Sequence, residues 1–463
     1  MNGFVANVWD VLRIALPLLV SSGSFSLVLF ADRTMLMWFD ENAMGAWMAA
    51  GNVFWVLVCL PVGIASMTGA ITAQYVGSGQ PHHVGRLLWQ SLWLAIFCIP
   101  LLAAAAYFAP LIFRATGQPE SMVPAESIYL QLLMIGGLGM IIETALSGFF
   151  SGTERTAVIM YTSIASAVLN VALDAWLIFG GLGLPAYGIE GAAVASSIAF
   201  WFKAAVYTSL LSARRWDAVY AIRDGFGWDS MLLGKLFFFG LPAGLFQVAE
   251  AGGFTWILLR IGALGEEPMR ATTMAINYNM VAYIPLVGLQ VAASVLVGRH
   301  LTESGPDRAA AAVRAALFVA GVYCVLWGAV YLSVPHWLIS VYGAQDQPAV
   351  RRTAEFLLMV VTGYMFMDAI QVTLAGALRG AGDTWFVLGA LLAVGTVVLG
   401  AASFLQQSII AATGVEPLYY WWGVLYAWIW MLGIVLALRY LSGRWRTMRM
   451  VENAPPAPLP VHA

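Results

Sequence analysis

Long apolar stretches, separated by short polar segments, follow one another along the whole chain of 463 residues. A run of about 20 apolar residues is long enough to cross a bilayer as a helix. On that criterion the pattern predicts twelve membrane-spanning helices, at 12–39, 44–76, 87–113, 125–150, 156–179, 189–212, 230–260, 268–298, 310–334, 351–378, 384–411 and 420–441. The runs are continuous and do not alternate with polar residues, which favours helices over a membrane β-barrel.

The second half of the chain repeats features of the first. Ala15-Leu-Pro17 opens the first predicted helix as Gly240-Leu-Pro242 opens the seventh, at an offset of 225 residues. Residues 147–156 align in the same way with residues 375–384, at an offset of 228. Each half holds six predicted spans, so both halves should lie in the membrane in one orientation. We therefore expect an all-α integral membrane protein built from two six-helix repeats.

The repeats and the polar gaps between them predict the division of the chain. We expect an N-lobe at 1–213, a cytoplasmic linker at 214–229, a C-lobe at 230–441 and a cytoplasmic tail at 442–463. Fifteen arginines and lysines fall on the side of the N-terminus and six on the other side. Because positive charge is retained in the cytoplasm, this bias predicts a multi-pass protein of the cytoplasmic (inner) membrane with both termini inside the cell.

Composition supports this class and excludes others. The chain is 61% hydrophobic and only 10% charged, with a mean hydropathy of +0.81, far from the values of a soluble domain. The formal net charge of −2 indicates no nucleic-acid partner. Cys59, Cys98 and Cys324 all lie in apolar runs, which gives no sign of a disulfide framework. We predict no cofactor, the lipid bilayer as surroundings, and a monomer.

Acidic residues inside the apolar runs are the candidate chemistry, since a charge at membrane depth costs about 2.5–3.5 kcal/mol on insertion scales. In the tenth helix Asp368 lies one turn after Tyr364 and about one turn before Gln371, and Glu250 lies in the seventh helix. Converging oxygens can coordinate a hard cation or pass a proton. The alternative is that Asp368 or Glu250 is a structural group held by hydrogen bonds.

The N-terminal half offers a second set. Asp32 lies in the first helix, Asn170 and Asp174 lie one turn apart in the fifth, and Ser196 lies in the sixth. Two carboxylates, an amide and a hydroxyl suit Na⁺ in an oxygen cage, with Asp32, Asn170 and Asp174 as ligands, or a cluster that shares a proton. Two alternatives remain open: Asn170 as a contact between helices, and Asp32, because of its neighbour Arg33, near the outer rim.

Three further residues are candidates for a supporting role. Glu143 in the fourth helix and Lys203 in the sixth carry opposite charges, so they could pair with each other, or Lys203 could reach toward the cytoplasmic side. We expect both to tune the structure and not to bind the transported ion. Pro17 removes a backbone hydrogen bond from the first helix and can act as a bend or hinge.

These residues resemble the multidrug and toxic compound extrusion (MATE) family, and within it the NorM-like bacterial branch. The match rests on Tyr364-x-x-x-Asp368-Ala-x-Gln371, which runs into Gly376-Ala-Leu-Arg-Gly380, and on Glu250 after Gly240-Leu-Pro242. The resemblance implies a V-shaped bundle of twelve helices. It also implies cation binding in the C-lobe by Glu250, Tyr364 and Asp368.

In the N-lobe the resemblance covers the bend-forming Pro17, Asp32, the Asn170 and Asp174 pair, and Ser196, which stands where a threonine is common. It implies a secondary active antiporter that exports cationic lipophilic compounds in exchange for Na⁺ or H⁺. Small organic cations are the expected partners. The alternative is a flippase for lipids or lipid-linked oligosaccharides of the same superfamily, which commonly has a strongly basic cavity. An intramembrane enzyme is less well supported because its catalytic motifs are missing, so we predict that the chain is not an enzyme.

Overall fold

Helices are the dominant elements of the fold. A helix of apolar side chains suits a membrane because it hydrogen-bonds its backbone N–H and C=O groups within one segment. The computed structural model describes residues 2–181, 183–340 and 348–452. Twelve long helices within these ranges are α1 (Asn2–Phe39), α2 (Glu41–Gly77), α3 (His82–Tyr107), α4 (Val123–Gly152), α5 (Thr156–Phe179), α6 (Ile189–Leu211), α7 (Ser230–Gly262), α8 (Glu266–Glu303), α9 (Pro306–Ser333), α10 (Pro348–Ala381), α11 (Thr384–Thr413) and α12 (Pro417–Leu441). Each is long and apolar enough to cross a membrane, which confirms the predicted twelve-helix fold.

The boundaries differ from the predictions in a few places. The third span was expected to continue to residue 113, but α3 ends at Tyr107 and a short separate helix, Ala109–Ala115, follows. Pro110 lies at the start of this short helix. A proline has no N–H to bond the carbonyl four residues earlier, which accounts for the break before it, and it is well tolerated in the first turn of a new helix. The predicted tail is described as far as Glu452, and residues 453–463 lie outside the described residues.

The helices of the two halves pack in the same order. In the first half α4 packs against α2, α3 and α6, while α5 packs against α1 and α6. In the second half α10 packs against α8, α9 and α12, while α11 packs against α7 and α12. Adding six to each helix number converts one set of contacts into the other. The predicted repeat is therefore present as a repeat of helix packing.

Small residues let the two halves approach closely where α1 meets α8 and α2 meets α7. Gly63 of α2 lies against the backbone of Gly244 of α7, and a side chain at either position would overlap the other helix. Gly288 of α8 lies in the same way against the backbone of Leu18 in α1. Such contacts are typical of membrane helices, where close backbone packing replaces the hydrophobic effect as the source of association.

Polar links between the halves lie at the end of the molecule where α1 begins and α12 ends, which we name the termini end. Glu154, between α4 and α5, forms an ion pair of 2.7 Å with Arg299 of α8. Gln74 of α2 donates to the carbonyl of Gly380 over 2.8 Å and accepts from the amide of Met450 over 2.7 Å. The segment after α12 thus connects to the first half through Gln74, and it connects to the second half through an ion pair of 3.2 Å between Glu452 and Lys235 of α7.

Candidate functional site

The N-terminal half brings its four predicted residues into one buried cluster. Asp32 on α1, Asn170 and Asp174 on α5 and Ser196 on α6 are each less than one-tenth exposed. The hydroxyl of Ser196 lies 3.5 Å from Asp32 Oδ2. The carboxyl groups of Asp32 and Asp174 lie within hydrogen-bonding range of each other. Asp32 is therefore enclosed by the protein, although its neighbour Arg33 had suggested a place near the outer rim as an alternative.

Asn170 lies between the two acids, and its side-chain amide can face them in two orientations. With its amide nitrogen turned toward them, it lies 3.0 Å from Asp174 Oδ2 and 3.2 Å from Asp32 Oδ1 and donates to both. With its amide oxygen turned toward them, three oxygens face one another, and this arrangement needs a cation or a carboxyl proton between them. Asp174 Oδ1 is buried and accepts no hydrogen bond from a described donor. The cluster therefore has a carboxylate oxygen left to bind a cation or a proton.

The donor set fits a monovalent cation better than a tightly bound transition metal. Among the described residues no group of three or more His, Cys, Asp or Glu side chains could hold a metal ion. The cluster has instead two carboxylates, one amide and one hydroxyl. Hard cations such as Na⁺ prefer oxygen ligands of this kind. A carboxyl–carboxyl hydrogen bond between Asp32 and Asp174 would equally hold one proton.

The C-terminal half brings its predicted residues together more loosely. Tyr364, Asp368 and Gln371 of α10 are buried, whereas Glu250 of α7 is partly exposed. The amide of Gln371 lies 3.5 Å from Glu250 Oε1, which is at the long limit for a hydrogen bond. Asp368 and Glu250 are close enough to repel each other when both are ionised. A shared cation or proton would relieve this repulsion.

Arg379 is a member of this cluster that was not among the candidate site residues of the sequence. It was counted among the positive charges at the termini end, and its side chain is only 7% exposed and lies 4.4 Å from the centre of the Phe246 ring. Its charge acts on Glu250, and one of its nitrogens, Nη2, has no partner among the described residues. Eleven residues, or three helical turns, separate Arg379 from Asp368 in the sequence, and this spacing was the available signal.

Tyrosines that were not assigned to either cluster also lie near the acids. Tyr283 of α8 is close enough to feel the charges of both Glu250 and Asp368. Tyr129 of α4 is close in the same way to Asp32 and Asp174. Neither tyrosine was among the residues that the sequence singled out. Each supplies a hydroxyl that can donate to a neighbouring carboxylate.

Glu143 and Lys203 form a direct ion pair between α4 and α6. Their side chains are 10% and 19% exposed, so the pair lies largely out of solvent. Of the two alternatives, the structure shows the ion pair and not an extension of Lys203 toward the cytoplasmic side. Pro17 lies inside α1, which continues as one helix from Asn2 to Phe39. Its role as a bend or hinge remains a prediction.

Comparison with known proteins gives the family. A sequence model of the MatE family matches residues 17–176 and again residues 242–402, so it covers both repeats and begins each time at the proline of the repeated Leu-Pro motif. The chain belongs to the MatE family. The resemblance seen in the sequence is therefore confirmed. Since MATE proteins are transporters, the prediction that the chain is not an enzyme is confirmed as well.

Relatives agree with this assignment. A probable multidrug resistance protein NorM of Pseudomonas syringae pv. tomato is 28% identical over 460 residues, which cover 96% of this chain and 96% of that protein. The multidrug resistance protein PmpM of Pseudomonas aeruginosa is 28% identical over 82% of this chain and 80% of its own length. Among solved structures, the eukaryotic MATE transporter AtDTX14 superposes with a TM-score of 0.80 at 20% identity, over 96% of this chain and 97% of its own. This last likeness supports the fold.

Proposed function

We propose that this MATE protein is a secondary antiporter that exports cationic lipophilic organic compounds in exchange for Na⁺ or H⁺. One observation carries the proposal: Asp32 and Asp174, two costly carboxylates, meet inside the membrane with Asn170 and Ser196 around them. Intramembrane acids are kept for ion or proton handling far more often than for structure. The names of the NorM and PmpM relatives, which are multidrug resistance proteins, support the substrate class.

The chemistry follows from charge. When a cation or proton enters an acidic cluster, it neutralises the carboxylates that would otherwise attract a cationic drug. The coupling ion and the cationic drug therefore weaken each other's binding, and one can be exchanged for the other. One elementary charge that crosses 100 mV supplies about 2.3 kcal/mol. In the proposed cycle the lobes at 1–213 and 230–441 rock against each other, as in other transporters built from parallel repeats.

We also propose the surroundings in which this cycle runs. The bias of positive charge favours a termini end in the cytoplasm, and bacterial NorM relatives support the inner membrane. A monomer is sufficient, since both clusters are formed within one chain. The flippase alternative predicts a strongly basic cavity, whereas both intramembrane clusters here are acidic. A lipid-scrambling assay in liposomes distinguishes the two functions.

The decisive experiment is dye transport by the purified protein in proteoliposomes, with a Na⁺ gradient and a pH gradient imposed separately. Asp32→Asn and Asp368→Asn test the two clusters, and Asp224→Asn, which changes an exposed acid in the linker, is the matched control. We expect one gradient to drive transport in the unchanged protein and in the control. Gradient-driven transport that both cluster variants retain in full would contradict the proposal.

A further inference from the structure

A large apolar groove lies in the C-terminal half, and no residue of either acidic cluster lines it. It has a volume of about 730 Å³ and is bounded by α9, α10 and α12. Leu317 and Gly321 form one wall, Phe366 and Ile370 form the floor, and Ala437 lies on the opposite wall. Protein interiors are close-packed and leave few spaces larger than a water molecule. A groove of this size, with walls of this kind, has room for an apolar chain.

The groove opens toward the lipid. Leu438 and Leu441, on the part of α12 that flanks it, are 62% and 76% exposed, and Phe366 on its floor is 40% exposed. In a membrane protein such apolar surface faces hydrocarbon. No other atom lies within 4 Å of the position that a side chain on Gly321 would occupy, so this wall is open as well. An acyl chain can therefore enter the groove from the bilayer.

The N-terminal half fills the related region with its own side chains. The linker follows α6 as the tail follows α12, and Trp216 lies 5.7 Å from the ring of Phe149 on α4. Farther along the linker, Phe226 lies 4.8 Å from Trp89 and 5.8 Å from Trp93 on α3. The linker thus covers the faces of α3 and α4 that correspond to α9 and α10 in the repeat.

In the C-terminal half fewer large side chains cover the corresponding faces of α9 and α10. Trp445 follows Trp216 at an offset of 229 residues, close to that of the repeat, and its ring stacks on Tyr440 at 5.1 Å. These two rings close the groove at the termini end. At the repeat offset of 228, the smaller Ala377 and Leu378 stand in place of Phe149 and Phe150. They therefore cannot give Trp445 the aromatic contacts that Phe149 and Phe150 give Trp216.

Positive charge collects at the closed end of the groove. Arg314 of α9 and Arg446, next to Trp445, both line it. Arg446 lies 3.4 Å from Asp307, whose side chain is 94% exposed, while Arg314 forms no ion pair with a described residue. Two arginines and one acid leave a net positive charge beside two aromatic rings. This combination is typical of the level of lipid head groups.

We infer that the groove binds one anionic phospholipid of the leaflet at the termini end. An acyl chain lies along Leu317, Gly321 and Phe366, and the phosphate lies between Arg314 and Arg446. Basic pockets between membrane helices on the cytoplasmic side bind anionic head groups in this way. The bound chain packs on the α10 surface that is formed by Phe366 and Ile370, close in sequence to Asp368 and Gln371. The site is thus placed to support the helix that carries half of the C-terminal cluster.

The test is retention of lipid by the purified full-length protein. Detergent-solubilised protein is incubated with phosphatidylglycerol or with phosphatidylcholine, and native mass spectrometry counts the lipids retained. We expect one phosphatidylglycerol to be retained in preference to phosphatidylcholine. Loss of both charges in R314Q/R446Q should weaken its retention by about thirtyfold, because each arginine near an anionic head group attracts it independently. Inorganic phosphate should not compete, since it lacks the acyl chain.

Two further variants distinguish lipid binding in the groove from general electrostatic attraction of lipid to the protein surface. Arg444→Gln removes an exposed charge from the same segment without touching the groove, and retention should be unchanged. Gly321→Phe fills the open wall without changing charge and should displace the lipid. Elution as a single sharp peak in size-exclusion chromatography shows that each variant is folded.

Three results would overturn the inference. The first is retention that is unchanged in both R314Q/R446Q and Gly321→Phe. The second is an Arg444→Gln variant that loses as much lipid as the double variant, which would indicate diffuse attraction to the surface. The third is a chain ended at Glu452 that binds lipid where the full chain does not, because residues 453–463 would then be the natural occupant.

Discussion

Arg299 on α8 and Glu154, in the loop after α4, form an ion pair of 2.7 Å that ties one half of the molecule to the other. Their side chains are 25% and 29% exposed, and the pair lies at the termini end together with the hydrogen bonds of Gln74. Burial raises the pKa of the Glu154 carboxyl, while the Arg299 guanidinium opposes this rise. The pair therefore stabilises a conformation in which the halves are joined at this end.

We expect Arg299→Gln to open the termini end more often. A partly exposed ion pair contributes about 0.2–1 kcal/mol, so the open population should rise by at most about fivefold. The measurement is the labelling rate, with a membrane-impermeant maleimide, of a cysteine in place of Ala70, which is buried against Gly298 of α8. Glu303→Gln is the control, since Glu303 bonds Arg299 within its own helix and does not link the halves. Equal rates for Arg299→Gln and Glu303→Gln would refute this role.

Na⁺ should stabilise the protein through the N-terminal cluster. A ligand present at about 100 times its dissociation constant adds about 2.7 kcal/mol to the free energy of unfolding, provided that it binds only the folded state. We expect the thermal unfolding temperature to be higher in NaCl than in KCl of equal concentration. Asp32→Asn should abolish this difference, and Asp368→Asn should leave it intact. Identical unfolding temperatures in the two salts would count against Na⁺ at Asp32, Asn170 and Asp174.

The ion pair of Glu143 and Lys203 should show strong coupling in a double-mutant cycle. Removing one partner leaves the other charge buried and unpaired, at a cost of about 3–5 kcal/mol. Replacing both partners removes that penalty, so the double variant E143Q/K203M should be more stable than either Glu143→Gln or Lys203→Met. Thermal unfolding of the four proteins gives the coupling. If the two single effects simply add, the pair does not have the tuning role proposed for it.

The close approach of α2 and α7 should make Gly63 intolerant of larger residues. Gly63→Leu would force a side chain into the backbone of Gly244, and overpacking of this kind typically costs about 1–3 kcal/mol. Gly51→Leu on the same helix is the matched control, because no atom lies within 4 Å of the position that its side chain would occupy. The measurement is the unfolding temperature of the two variants. A stability of Gly63→Leu equal to that of Gly51→Leu would show that the halves are free to move apart there.

The two acidic clusters show where sequence reasoning succeeds and where it stops. Asp32, Asp174, Glu250 and Asp368 could be identified from the sequence because an acid inside an apolar run is rare and costly. That Asp32 meets Asp174, which is 142 residues away, could not be read from the runs themselves. The same is true of Arg379, which lies in the last turn of its helix and whose burial beside Phe246 could not be read from the sequence.

The sequence by itself determined the twelve helices, the two repeats and the acids that the membrane contains. In the hydrocarbon of a bilayer, each spanning segment must be about 20 apolar residues long and must hydrogen-bond its own backbone groups. Only the tertiary structure decided which side chains meet, that Glu143 pairs with Lys203, and that a groove remains between α9 and α12. These features depend on the rotation and tilt of each helix, which are set by packing at small residues such as Gly63 and Gly288. The hydropathy of a span does not specify its rotation or tilt.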